Sequence, residues 1–343
     1  MKDKLLKKFH ELRKHPFSVF ILFGFVSLLI PLFAPVIGVT IVDALAKTLI
    51  YYVVALGFSL LIGYAGLASL GTAAFVGIGT FSLYTGMQVF NLPFIVSIAL
   101  AIAIAIVVGS IFGFVSLRIE GMYLAIVTLG LSEIAVELFK NFPRFTGGVS
   151  GQTFVGISLF GLRLSNTAVW ILIIAFVVLA MILTYNLINS PTGRAMLAIK
   201  NSESAAQAMG ISVIKYRLTA FVVSTVYAVI GGVLYMSYVK FSIGTHWSLA
   251  ISLNILAAVV VGGSKSIWGV LIGTFIIFGL DLAVFKSIPF LMQSQYANVS
   301  FIISGILIIV VMMYFPNGII GLINKLIYKI KAKRLAKNSK VEV

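Results

Sequence analysis

Glu133 and Glu137 stand one helical turn apart inside an otherwise apolar run, so both carboxylates fall on one face of a single helix. Carboxylates in such surroundings are costly, and where they occur they line ion or substrate paths or hold one helix against another. Counting about 1.5 Å per residue from Gly121, Glu133 lies about 18 Å along its helix, past the middle of a bilayer. Two readings stay open. Either the pair lines a path or seats the helix on a partner, or Glu137 reaches the outer interface beside Lys140 while Glu133 bonds to a neighbouring helix. Asp281, near Lys286, reads as an interfacial charge.

Other chemistry-bearing residues are sparse. His10, His15 and His246 share no metal-ligand spacing, and no His-Glu-x-x-His segment is present, so zinc hydrolysis is not expected. His246 reads as an interfacial side chain rather than a catalytic base. Gly262-Gly263-Ser264-Lys265-Ser266 approaches a phosphate-binding loop, but Ser264 separates glycine from lysine, so no nucleotide is expected on this chain. The absence of cysteine removes disulfides, thiolate metal sites and thiol nucleophiles together. The chain therefore reads as a non-enzyme without a cofactor of its own.

A third group is built from small residues: Gly63, Gly66, Gly71, Gly77 and Gly79, with Ser69 and Thr72 among them. Such clusters let helices approach closely or break beside a cavity. Spacing alone leaves both uses open.

The elements that carry these residues are membrane spans. Of the 343 residues, 61% are hydrophobic and 10% charged, with a mean hydropathy of +1.14, whereas soluble domains are about one quarter charged. Apolar segments at 17–37, 44–62, 67–90, 94–117, 122–139, 167–188, 218–239, 249–261, 267–285 and 299–314 define about ten transmembrane helices, the third and eighth being the least regular. The first is longer than a signal-peptide core and reads as a retained span.

The net charge of +16 would suit a nucleic-acid binder, but the basic residues sit between apolar runs and at the termini, as cytoplasmic loops do. With the N-terminus inside, ten spans place nineteen of the 25 Lys and Arg in the cytoplasm and six outside. Both termini are thus expected inside. The fold expected is an all-α integral membrane protein with a basic segment at 1–16, a transmembrane domain at 17–322 and a basic tail at 323–343. Inverted structural halves are compatible with it, although no fixed-period repeat is visible.

Two loops exceed turn length. The outer one, 141–166, is rich in Gly and Ser and reads as flexible. The inner one, 189–217, contains a run of strong helix formers after Ser202, closed by Gly210, which predicts a short cytoplasmic helix.

Several segments, in order, resemble the inner-membrane permease subunits of branched-chain amino-acid ABC importers, and the M-type of the two permeases more than the H-type. They are Gly63-Tyr64-Ala65-Gly66-Leu67-Ala68-Ser69-Leu70-Gly71, Ala73-Ala74-Phe75, Gly77-Ile78-Gly79, Tyr123-Leu124-Ala125-Ile126-Val127-Thr128-Leu129-Gly130 with Glu133-Ile134, and Thr146-Gly147-Gly148. Further along come Ser190-Pro191-Thr192-Gly193-Arg194-Ala195, Val260-Val261-Gly262-Gly263, Ser266-Ile267-Trp268-Gly269 and Phe315-Pro316-Asn317-Gly318-Ile319-Ile320-Gly321. The resemblance covers residues 52–322.

The resemblance implies that residues 194–210 form a coupling helix that docks on a cytoplasmic ATPase, with Arg194, Lys200, Glu203, Ala205, Ala206 and Gly210 as its carriers. It implies a second similar permease, two ATPase subunits holding ATP-Mg, an external substrate-binding protein and residence in a bacterial or archaeal cytoplasmic membrane. Gly66, Ser69, Thr72, Thr128 and Glu133 are the candidates for the translocation path. Lys265 departs from the pattern, since the family more often has small uncharged residues there, and the basic tail is longer than usual and suits anionic lipid. Urea, amides or other amino acids are alternative cargoes, and an autonomous channel or ion-coupled transporter is the rival from another class.

Overall fold

A computed structural model describes residues 16–33, 38–116, 122–159, 162–279, 305, 309, 313 and 318–321. Asp281, Lys286, nearly all of the tenth apolar segment and both basic termini lie outside the described residues. The chain is predominantly helical, as a backbone in hydrocarbon must be if each amide is to find a partner without water.

The long helices are α1 (Pro16–Leu29), α2 (Val39–Ser59), α3 (Thr72–Tyr84), α4 (Phe94–Ser116) and α5 (Met122–Asn141). The short α6 (Pro143–Thr146) precedes α7 (Asn166–Asn189). Then come α8 (Pro191–Asn201), α9 (Glu203–Ala208), α10 (Val213–Val239), α11 (Leu249–Gly262) and α12 (Ile267–Thr274). Three of them continue as π-helical turns: α2 through Leu60–Ala65, α3 through Thr85–Val89 and α12 through Phe275–Gly279. Among the described residues, four helical stretches are long and apolar enough to cross a membrane: Val39–Ala65, Phe94–Phe114, Asn166–Asn189 and Val213–Val239.

Their surroundings differ. The α2 span is 83% buried inside the chain and the α4 span 28%, so α2 is a core helix while α4 turns most of its surface outward. With lipid as apolar as leucine, close packing rather than burial must hold the core together. Small residues provide it. A Cβ on Gly79 would collide with the Val229 carbonyl, and one on Gly232 with that of Val76, so α3 and α10 cross backbone to backbone. Gly262 and Gly273 similarly abut the carbonyls of Gly269 and Ala258, locking α11 to α12.

Contacts fix the direction of several neighbours: α3 and α5 run parallel, with Gly71 against Thr128 and Gly77 against Phe139, while two other pairs are antiparallel. Phe17 at the start of α1 meets Tyr185 near the end of α7, and Trp170 near the start of α7 donates its indole N–H to the Ser27 carbonyl at 3.1 Å. Gly57 abuts Tyr227 and Tyr51 meets Tyr235, so α2 and α10 also run in opposite senses.

Two expectations need correction. The third apolar segment is not helical from 67: residues 66–71 are non-helical and α3 starts at Thr72. The chain stays all-α in class, and the strands it carries are two-residue pieces in its loops. The outer loop carries β1 (Gln152–Thr153), β2 (Ser158–Leu159) and β3 (Leu162–Arg163), with β4 (Phe241–Ser242) after α10. β1 pairs antiparallel with β4, and β2 with β3. The loop read as flexible is thus tied down, and Thr146 donates to the carbonyls of Phe139 and Phe142.

Candidate functional site

The connection between α7 and α10 folds into two helices rather than the single coupling helix that the resemblance implies. Ser190 leaves α7 in an extended conformation, and its hydroxyl accepts from the Gly193 amide at 3.3 Å, with Pro191 at the first helical position. Ser202 repeats the device, ending α8 and capping α9 by accepting from Ala205 N at 3.4 Å. Gly210, at φ 76°, closes the segment in the left-handed conformation that glycine adopts without steric cost. The basic residues Lys215 and Arg217, expected in the loop, lie in the first turns of α10, which starts at Val213.

The segment has a small core of its own, in which Ile199, Ala206 and Val213 are buried with Ile211 and Tyr216 against them. Glu203 of α9 and Arg217 of α10 tie the segment to the next long helix through a 2.7 Å ion pair. Arg194 donates to the Asn189 carbonyl at 2.8 Å, gripping the end of α7. Ala205, Gln207, Ala208, Met209 and Gly210 face outward, and Met209 is 81% exposed. Small side chains around one protruding methionine make a surface that another protein can approach closely.

Lys200 joins this segment to the membrane helices. Its ammonium donates to the carbonyls of Ile62 and Gly63, at 2.9 and 2.8 Å, where the π-turn of α2 ends. Carbonyls at a helix end lack intrahelical donors, and a cation there also meets the negative end of the helix dipole. Burial, and then the positive charge of Lys265, holds the Lys200 ammonium below its usual pKa. Gly66, at φ 72°, turns the chain away directly beside the Lys200 side chain, where an added Cβ would lie 3.1 Å from Lys200 Cγ. Gly66 therefore sits beside α8 through the Lys200 side chain.

The other candidates for the path divide. Thr128 is buried; its hydroxyl accepts from Leu70 N at 2.9 Å and donates to the Ala125 carbonyl at 3.1 Å. Ser252 of α11 accepts from Ala73 N at 3.0 Å. Together these two hydroxyls satisfy amides around the start of α3, so Thr128 supports the broken segment rather than standing free in a channel. Ser69 and Thr72 are buried in the same junction. Gly71 lies against the Thr128 carbonyl, and Gly77 beneath Phe139 and Trp247, so both serve close packing.

Glu133 stands apart on the outward face of α5, among Tyr123, Ile126, Ile134 and Leu138, which are 50–71% exposed. Glu137 pairs with Lys140 at 2.7 Å. His246 stacks on Tyr235 and has Nε2 3.3 Å from the Tyr51 hydroxyl. Among the described residues, no group of three metal-ligating side chains gathers.

Sequence reasoning missed Arg217, Ser252, Tyr64 and Ser264. Tyr64 donates to the Lys265 carbonyl at 3.0 Å, and Gly63 packs on the Ser264 carbonyl, so the break after α2 rests on the turn between α11 and α12. Tyr64 and Lys265 are 201 positions apart, too far for spacing to signal the contact, whereas Arg217 lies only 14 residues from Glu203.

Packed apolar helices, an interrupted helix and a capped polar segment at one end define a multi-pass membrane protein of the transporter class. The chain belongs to the branched-chain amino acid transport system permease component family, which it matches over residues 40–312. It is 29% identical over 304 residues to the high-affinity branched-chain amino acid transport system permease protein LivM of Escherichia coli, covering 81% of this chain and 69% of that one. It is 25% identical over 315 residues to a probable LivM of Methanocaldococcus jannaschii, covering 79% and 90%. The ribose import permease protein RbsC of Haemophilus influenzae is 27% identical over 278 residues, covering 78% and 83%. No solved structure gives a significant match.

Proposed function

We propose that this chain is the M-type permease subunit of an ABC importer that carries leucine, isoleucine and valine across a bacterial or archaeal cytoplasmic membrane. It pairs with a second similar permease, rests on two cytoplasmic ATPase subunits that hold ATP-Mg, and receives cargo from an external binding protein. The observation that carries the reading is the capped α8–α9 segment, joined through Lys200 to the carbonyls that end α2. Movement of an ATPase under Met209 would pass through α8 to the point where α2 is interrupted. ATP can bias the inward-open and outward-open forms only through contacts that differ between them, and this link is placed to make such a difference.

Ten spans with both termini inside fit the basic residues of α8, α10 and the turn at Lys265, which share one end of the bundle. Inverted halves are supported by matched lengths. The Val39–Ala65 and Val213–Val239 stretches are both 27 residues, and the shorter helices that follow them, α3 and α11, have 13 and 14. Glu133 fits the contact with the second permease, because a carboxylate on an uncovered apolar face costs several kcal/mol in lipid. The cargo assignment is supported by the LivM relatives. The similarity to a ribose permease makes other small polar cargoes the second reading.

The test is reconstitution with the partner ATPases and binding protein. Replacing residues 203–210 by a flexible linker should abolish cargo-stimulated ATP hydrolysis while the chain still inserts. Leucine uptake by the purified chain alone, without ATP, would instead assign an autonomous transporter.

A further inference from the structure

At the basic end of the bundle, a cavity of about 360 Å³ opens between α1, the end of α7 and the turn at 263–266. Phe20, Tyr64, Tyr185 and Trp268 form its walls, and Asn189 and Lys265 its polar edge. Phe20 and Trp268 rings lie 6.0 Å apart, and Phe20 and Tyr185 also 6.0 Å, so the walls brace one another. Tyr64 spends its hydroxyl on the Lys265 carbonyl, which fixes that turn beside the cavity.

The charge there is one-sided. Among the described residues, no carboxylate lines the cavity, and the Lys265 side chain is exposed and makes no hydrogen bond or ion pair. Lys200, within electrostatic reach of Lys265, has two carbonyl partners and, among the described residues, no counter-ion. An anion fits this field, whereas a basic peptide does not.

The apolar side of the cavity has a continuation. Val19 lines it, and from Val19 an exposed stripe of Leu22, Val26 and Leu29 runs along α1 at helical spacing. A phosphate held at Lys265 would place an attached acyl chain against that stripe.

We propose that this cavity is a binding site for a phosphate-bearing anion, the headgroup of an anionic phospholipid, with Lys265 as its counter-charge and the α1 stripe as the track for its tail. The lipid would stitch α1 to the α11–α12 turn against which the break after α2 rests. Only the leaflet that supplies the lipid, and not the site itself, follows from the orientation given above, in which this end faces the cytoplasm.

The experiment is native mass spectrometry of the purified full chain in neutral detergent, with phosphatidylglycerol, phosphatidylcholine or inorganic phosphate added. Phosphatidylglycerol should be retained over phosphatidylcholine. Lys265→Ser should lower its occupancy about fivefold, since one cation near an anionic headgroup contributes about 1 kcal/mol, and Lys265→Arg should keep it. A chain ending at residue 322 should behave as the full chain does, which separates this site from the basic tail. Lys265-dependent displacement of the lipid by inorganic phosphate would show the same site serving a soluble anion. Equal occupancy in the full chain and Lys265→Ser, or no preference over phosphatidylcholine, would overturn the proposal. Binding is read without ATP or transport; if Cys at position 209 were labelled from outside while the Lys265 effect persisted, the orientation would fail and the site would stand.

Discussion

The ammonium of Lys200 donates to the carbonyl of Gly63, 137 residues earlier, at 2.8 Å. A cation from the extramembrane segment thereby caps the last turn of the most buried helix, beside the left-handed Gly66 that lets the chain break. Where a helix ends inside a packed bundle its last carbonyls need donors, and Lys200 supplies them from outside the span. The cap therefore ties the stability of the break to the position of α8.

Lys200→Met should uncouple the segment. Loss of two charge-assisted bonds at a partly exposed site removes roughly 1.5–3 kcal/mol, which corresponds to a tenfold or greater loss for each 1.4 kcal/mol. Cargo-stimulated ATP hydrolysis in proteoliposomes should fall by about that factor, while basal hydrolysis by the assembled ATPases stays. Lys200→Arg should retain a substantial part, because a guanidinium can still reach a carbonyl. Unchanged stimulation in Lys200→Met would remove the link from the mechanism.

The crossing of α3 and α10 should tolerate no methyl group. Gly79→Ala and Gly232→Ala each drive a Cβ into a backbone carbonyl that cannot swing aside, and overpacking of this kind costs about 1–3 kcal/mol. Gly130→Ala is the control: nothing lies within 4 Å of its added Cβ, and alanine favours the helix by about 0.5–1 kcal/mol. Thermal unfolding in detergent should separate the first two variants from the third.

Ser202→Ala should loosen α9 without unfolding the bundle. The serine caps Ala205 N, and replacing such a cap costs about 1 kcal/mol. The Glu203–Arg217 pair is partly exposed, at 34% and 19%, so Glu203→Gln should cost less than about 1 kcal/mol. Faster amide exchange confined to residues 203–210 is the expected signature in Ser202→Ala. Protection spread evenly over α10 would contradict a locally capped unit.

The natural absence of cysteine makes each introduced thiol a unique probe. Met209→Cys, at an 81% exposed position, and Val149→Cys, at a 69% exposed one, should react with membrane-impermeant reagents from opposite sides, the former only from the cytoplasm. Gly130→Cys, on the uncovered face of α5, should cross-link to the second permease in the assembled complex. Labelling of both loop positions from one side would refute the ten-span orientation.

Much of the helical layout was legible because hydrophobicity and length are local properties. Segments at 94–117, 167–188 and 218–239 were expected to span, and the helices run Phe94–Ser116, Asn166–Asn189 and Val213–Val239. The stop at Gly210 and the cap at Ser202 were legible for the same reason, since both act on residues within a single turn. The start of α3 was not. Residues 67–71 are as apolar as the helix that follows, and the irregular backbone there draws on the Thr128 and Ser252 hydroxyls, both distant in sequence.

The chain by itself determined that it must live in a bilayer, since no arrangement in water can hide so large an apolar fraction, and which runs would become helices within it. Tertiary structure alone decided what the small and charged residues are for. Gly79 is a crossing point, Thr128 a cap, Lys200 a bridge and Glu133 an outward-facing charge because of what lies beside each in space. The partners of Thr128 and Lys200 lie 58 and 137 residues away, set by helix packing that composition and spacing cannot foretell.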